Sequence, residues 1–82
     1  MTGPLKIPLS RERLAGFRDE LARFGAELPD DAVFEGDFKF ESGMRGAETI
    51  LGRHPEITAI WAQNDLMAVG ALKHLLAVGM DV

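Results

Sequence analysis

The chain has 82 residues, no cysteine and a formal net charge of −4, with 46% hydrophobic and 27% charged residues. A chain of this length forms at most one small domain, which buries only about 60% of its unfolded surface, and no apolar run reaches the length of a membrane span. Disulfide and thiolate-metal frameworks are excluded, and the acidic balance argues against direct nucleic-acid contact, which needs clustered cations.

Residues 1–9 hold Gly3, Pro4 and Pro8 and read as a loop or the end of a strand. The first residues, Met1-Thr2-Gly3-Pro4-Leu5-Lys6, lack the charged-then-apolar layout of a signal peptide, so a cytoplasmic location is expected. Ser10 is placed to cap a helix over 11–24, where Leu14, Phe17, Leu21 and Phe24 recur at helical spacing. Its mixed charges, Arg11-Glu12-Arg13 and Arg18-Asp19-Glu20, read as a solvated face. Gly25 fits the stop, and Pro29 prevents continuation. A strand is expected at about 32–36, then a turn or loop over 37–41.

The second helix is expected from about Ser42 to Arg53, with Met44, Ala47, Ile50 and Leu51 on one face. Gly43 and Gly46 each weaken it by about 1 kcal/mol relative to alanine, and two small residues one turn apart would let it sit close to a strand. His54-Pro55 ends it. Thr58-Ala59-Ile60-Trp61-Ala62 is a continuous apolar run of strand length, expected to be buried on both faces and central in a parallel sheet, with Trp61 packed in the core. Asp65 is then a cap for a last helix from Leu66 to about Val78, stopped by Gly79.

The resulting order, loop-α-β-α-β-α, indicates an α/β fold with a parallel sheet flanked by helices. Two strands do not make an ordinary doubly wound sheet. Residues 1–82 therefore read as a single partial domain, a piece of a larger unit.

Three segments carry a family resemblance. Arg11-Glu12-Arg13-Leu14-Ala15-Gly16-Phe17-Arg18, then Glu35-Gly36-Asp37-Phe38 with Glu41-Ser42-Gly43, then the run from Ile57 through Asn64-Asp65-Leu66-Met67-Ala68-Val69-Gly70 to Leu72 resemble, in order and spacing, the sensor domains of LacI/GalR transcription regulators. The resemblance implies most of the C-terminal lobe of a type I periplasmic-binding-protein-like fold, whose ligand lies between two lobes at the carboxyl ends of parallel strands. It also implies a small-molecule effector, a sugar, a homodimer or higher oligomer, and a DNA-binding headpiece that residues 1–82 do not include.

Asn64, just past a buried strand, offers an amide that both donates and accepts. The resemblance assigns it to the effector, while a plain turn-and-cap role for Asn64 and Asp65 stays open. Arg13 matches a family arginine that reaches into the cleft, with five donors in a fixed fork; the competing reading is a surface arginine. Phe38 lies where the family often sets an aromatic against the ligand, with core packing as the alternative. Asp37 and Glu41 read as solvated loop acids. Met67, Val69 and Leu72 match a dimer seam on the last helix, which is apolar on more than one face; burial by other parts of the same protein is the competing reading.

No enzyme, metal or cofactor is expected. His54 and His74 have no partner at metal-ligand spacing, Ser10 and Ser42 lack a nucleophile context, and Gly43-Met44-Arg45-Gly46 belongs to a helix rather than a phosphate cradle. Two other functional readings remain: a piece of a periplasmic sugar-binding transport protein, and a chain that only self-associates through exposed strand edges.

Overall fold

A computed structural model describes all of residues 1–82. Helix α1 runs over Pro8–Arg23, a single 3-10 turn over Asp30–Ala32, helix α2 over Phe40–Arg53 and helix α3 over Asp65–Ala77. The three expected helices are present with shifted ends. α1 starts earlier because Pro8 occupies its first turn, where its fixed φ suits the helix and its missing N–H is no loss. Ile7 is the N-cap and makes no side-chain cap bond, so Ser10 is not a cap. It lies inside the helix, buried, with its hydroxyl unpaired. α1 and α3 end alike: Gly25 and Gly79 take positive φ of 75° and 81°. In each, paired backbone bonds close the last turn, from Gly25 N to Ala22 O and Ala26 N to Leu21 O, and from Gly79 N to Leu76 O and Met80 N to Leu75 O.

Neither 32–36 nor 58–62 forms a strand, so the observed order is helix, 3-10 turn, helix, helix. One parallel bridge, Thr2 with Glu35, is present. Around it, Thr2 N donates to Phe34 O at 2.8 Å and Gly36 N to Thr2 O at 2.7 Å. On the other side the Met1 ammonium donates to Trp61 O at 2.7 Å, and Gln63 N donates to Met1 O at 3.1 Å. The segment between the other two is thus Met1–Gly3. The segment expected to be central, 58–62, lies outside it: Thr58 and Ala59 are exposed and Ile60, Trp61 and Ala62 only half-buried. Burial pushes the Met1 ammonium down to about 6.

The core is Met1, Ala47, Ile50, Met67 and Ala71, with Phe34, Phe38, Ile57, Ile60 and Ala62 packed against it. α2 and α3 meet backbone to backbone. A Cβ on Gly43 would run into the Met67 backbone, and one on Gly70 into the Phe40 carbonyl. The two small residues of α2 therefore serve different neighbours: Gly43 faces a helix, and Gly46 faces the Met1 and Phe34 side chains. α1 is attached more loosely. Its Phe17 ring stacks on half-buried Trp61, centroids 4.4 Å apart and planes 14° apart, while Phe24 is 80% exposed. No helix is long and apolar enough to cross a membrane.

Candidate functional site

Arg13, Phe38 and Asn64, the three residues expected at a ligand, are linked at the junction Gln63-Asn64, where the last extended segment meets α3. Asn64, rather than Asp65, is the N-cap: its Oδ1 accepts from Met67 N at 3.0 Å. Asp65 is the first helical residue, where its charge suits the positive end of the helix dipole. The Asn64 Nδ2 donates to Phe38 O at 2.7 Å. One N–H and one lone pair of this amide remain for other partners.

Phe38 has a φ of 69°. Its ring tip lies against Gly3, where a β-carbon would have no room. Gly3 N in turn donates to Gln63 Oε1 at 3.1 Å, and Gln63 Nε2 donates to Ser10 O at 3.0 Å. The buried Gln63 side chain thus ties the first residues, α1 and the head of α3 together. Arg13, one helical turn beyond Ser10, donates from Nη1 to Gln63 O at 3.5 Å, a long bond that leaves most of its fork free. Arg13, Phe38 and Asn64 are therefore linked around one junction, by Gln63 and Gly3.

Asp37 is exposed, as expected of a loop acid, and its carboxylate also bonds the turn. Its Oδ1 accepts from Lys39 N at 2.9 Å, its own N–H donates to Ser42 Oγ at 3.3 Å, and Ser42 Oγ donates to Lys39 O at 2.9 Å. The Lys39 N–H, followed by the Ser42 hydroxyl, holds the Asp37 carboxyl below its ordinary pKa. Gln63, Asp37 and Ser42 escape a reading of the sequence. The available signal for Gln63 is a polar residue closing an apolar run, and for Asp37 the Asp-x-x-x-x-Ser spacing into a helix start.

Two apolar cavities, of about 450 and 100 Å3, lie elsewhere, and neither is lined by Arg13, Phe38 or Asn64. The larger runs between Ile57–Ala62 and α3. No group of three or more His, Cys, Asp and Glu side chains is placed to hold a metal ion. His54 ends α2, with Nε2 2.7 Å from Asp31 Oδ1 and Nδ1 3.2 Å from Glu56 Oε1. These two carboxylates, Asp31 first, raise its pKa above the ordinary value.

On α3, Leu66, Val69, Leu72 and Leu76 are exposed. Met67 does not share that stripe. It is fully buried, facing Gly36 and Gly43, because the close approach at Gly43 and Gly70 decides which side of this all-round apolar helix faces inward.

Residues 4–82 match the family of periplasmic binding proteins and sugar-binding domains of the LacI family. The chain belongs to this family. Among curated LacI-type relatives, it is 40% identical over all 82 residues to the HTH-type transcriptional regulator AscG of Escherichia coli (strain K12) and 37% to the regulator CelR of Thermobifida fusca. It spans 24% of the length of each. Among solved structures, a transcriptional regulator CelR–cellobiose complex superposes with a TM-score of 0.95 at 36% identity, covering 100% of this chain and 25% of that one. The E. coli transcriptional repressor AscG superposes with a TM-score of 0.90 at 41% identity, covering 99% of this chain and 29% of that one. The LacI-family resemblance read from the three sequence segments is borne out, and these relatives are regulators of transcription.

Proposed function

We propose that residues 1–82 form part of the C-terminal lobe of a LacI-type effector-sensing domain, in a cytoplasmic transcription regulator whose effector is a sugar. The observation that carries this reading is the junction at Gln63-Asn64, which gathers an apolar ring, a half-used amide and a mostly free guanidinium. These are the groups a sugar needs: a C–H face stacks on Phe38, and hydroxyls pair with Asn64 and Arg13. The solved CelR–cellobiose complex superposes over the whole chain. Met1–Gly3 and the two extended segments that flank it would be the start of the lobe's parallel sheet, with the junction at their carboxyl ends. The chain would work as a sensor without catalysis. DNA contact would be made by other parts of the protein, given its net charge of −4.

The exposed stripe on α3 favours a second role for the same chain, as one side of a homodimer seam through Val69 and Leu72. Charged or polar residues are the ordinary occupants of an unpartnered helix face. Effector binding would act through a difference in affinity between two conformations of the intact protein.

The test is to replace the matching quarter of CelR with these 82 residues and titrate cellobiose by calorimetry. The exchanged protein is expected to bind, and Arg13→Ala, Phe38→Ala and Asn64→Ser each to weaken binding about tenfold or more, the loss of one good polar or stacking contact. Unchanged affinity in all three would overturn the site. The chain alone is expected to bind cellobiose no better than millimolar, because one lobe supplies only part of the contacts.

A further inference from the structure

Phe38 is the only residue other than glycine with a positive φ, 69°. A β-carbon is crowded there, and an aromatic residue stays in that region only when its surroundings hold it. Three side chains do so. Asp37 Oδ1 accepts from Lys39 N at 2.9 Å, Ser42 Oγ accepts from Asp37 N and donates to Lys39 O, and Asn64 Nδ2 donates to Phe38 O at 2.7 Å. Every polar backbone group from Asp37 N to Lys39 O that these bonds reach lies beside the strained residue. The ring is thereby set on Gly3, the residue whose N–H is bonded to Gln63.

A turn needed only to connect two segments would carry glycine or asparagine at the left-handed position. An aromatic ring there works against local preference and calls for a compensating use. We propose that Asp37 and Ser42 are positioning residues that fix the Phe38 ring over Gly3 as the apolar wall of the effector site, which rests on the effector-site reading above. Asp37 spends its carboxylate on the backbone turn and so orients the ring rather than touching the sugar. Its carboxyl pKa is depressed first of all by the bond from Lys39 N, in agreement with that role. Ser42, fully buried in the first turn of α2, links the turn to the helix that packs on α3. Asn64 closes the third side, so the ring and the amide are set by one hydrogen-bonded unit.

The test uses the 82-residue chain and the Gly3 proton resonances, which the ring current of Phe38 displaces; Phe38→Leu gives the undisplaced reference. Asp37→Ala and Ser42→Ala are expected to move the Gly3 signals most of the way to that reference, with the α2 and α3 amide signals in place. Asp37→Asn retains an oxygen acceptor for Lys39 N and is expected to restore the wild-type position. Gly3 signals that stay put in both alanine variants, or an Asp37→Asn variant that behaves like Asp37→Ala, overturn the proposal. The same variants in the CelR exchange are then titrated with cellobiose. A several-fold weakening in Asp37→Ala that Asp37→Asn reverses is the expected result. A displaced ring with unchanged cellobiose affinity overturns the assignment to the effector site, and failure of Arg13→Ala and Asn64→Ser as well would show that the site reading itself has fallen.

Discussion

The α2–α3 pair and α1 are helices of similar length that are held to the protein by opposite means. α2 and α3 touch backbone to backbone through Gly43 and Gly70, with Met67 sealed between them. α1 buries one residue fully, Ser10, and is tied down by one aromatic stack and a few polar bonds, from Gln63 Nε2 to Ser10 O and from Arg13 to Gln63 O. The difference teaches where this chain keeps its stability and where it keeps its freedom. A contact between backbones has no side chain to adjust, so any added atom is felt in full. A layer with few buried apolar contacts opens at a lower free energy than the core. Arg13 is carried by that looser layer, while Asn64 is carried by the tight one.

The largest effect should come from adding a methyl group at the tight crossing. Gly43→Ala and Gly70→Ala are each expected to cost about 3 kcal/mol or more, at the upper end of overpacking, read as a lowered midpoint in urea. A loss within 0.5 kcal/mol, the usual range of about ±0.5 for surface changes, would mean that the helices can slide apart freely and that the comparison is false. Met67→Ala comes next, at about 3 kcal/mol for a fully buried side chain that leaves a cavity.

Phe17→Ala tests the looser side. It removes the stack on Trp61 and is expected to cost about 1–2 kcal/mol, red-shift the Trp61 fluorescence and speed hydrogen exchange across α1 before it speeds exchange in α2 or α3. Equal acceleration in all three helices would place α1 in the same cooperative unit as the core.

The fourth prediction is a pH dependence. The carboxylates of Asp31 and Glu56 raise the His54 pKa, so the folded state holds that proton more tightly than the unfolded one. The resulting stabilisation is complete below the ordinary value of about 6.5 and is lost as pH rises through the raised value. The Met1 ammonium acts the other way: with a pKa of about 6 against an ordinary 8.0, it makes stability rise with pH between those values. The readout is therefore the difference between wild type and His54→Gln, which should shrink as pH rises from 6 toward 8. A difference that stays constant or grows would show that the pairing does not act in solution. The smallest effect on stability is expected at Val69→Lys, within about ±0.5 kcal/mol for an exposed position. It should still lower the mass seen by light scattering if the stripe is a seam between copies.

The sequence by itself determined the three helices and their stops, because spacing, proline and glycine act within a few residues. Gly25, Pro55 and Gly79 mark the stops, whereas Pro8, which reads as part of a loop, opens α1. It also showed the family, through three segments in order. What only the tertiary structure decided depends on neighbours distant along the chain. The runs at 32–36 and 58–62 have strand composition, yet a strand exists only with a partner along its whole ladder, and the observed pairing is a single bridge, Thr2 with Glu35. Met67 and Val69 are both apolar residues of α3, and the close approach at Gly43 and Gly70 put one in the core and the other on the surface. Asn64 was legible as a polar residue at a helix start. That its amide both caps α3 and holds a left-handed Phe38 in place required two residues 26 apart to meet, and no local pattern encodes such a meeting.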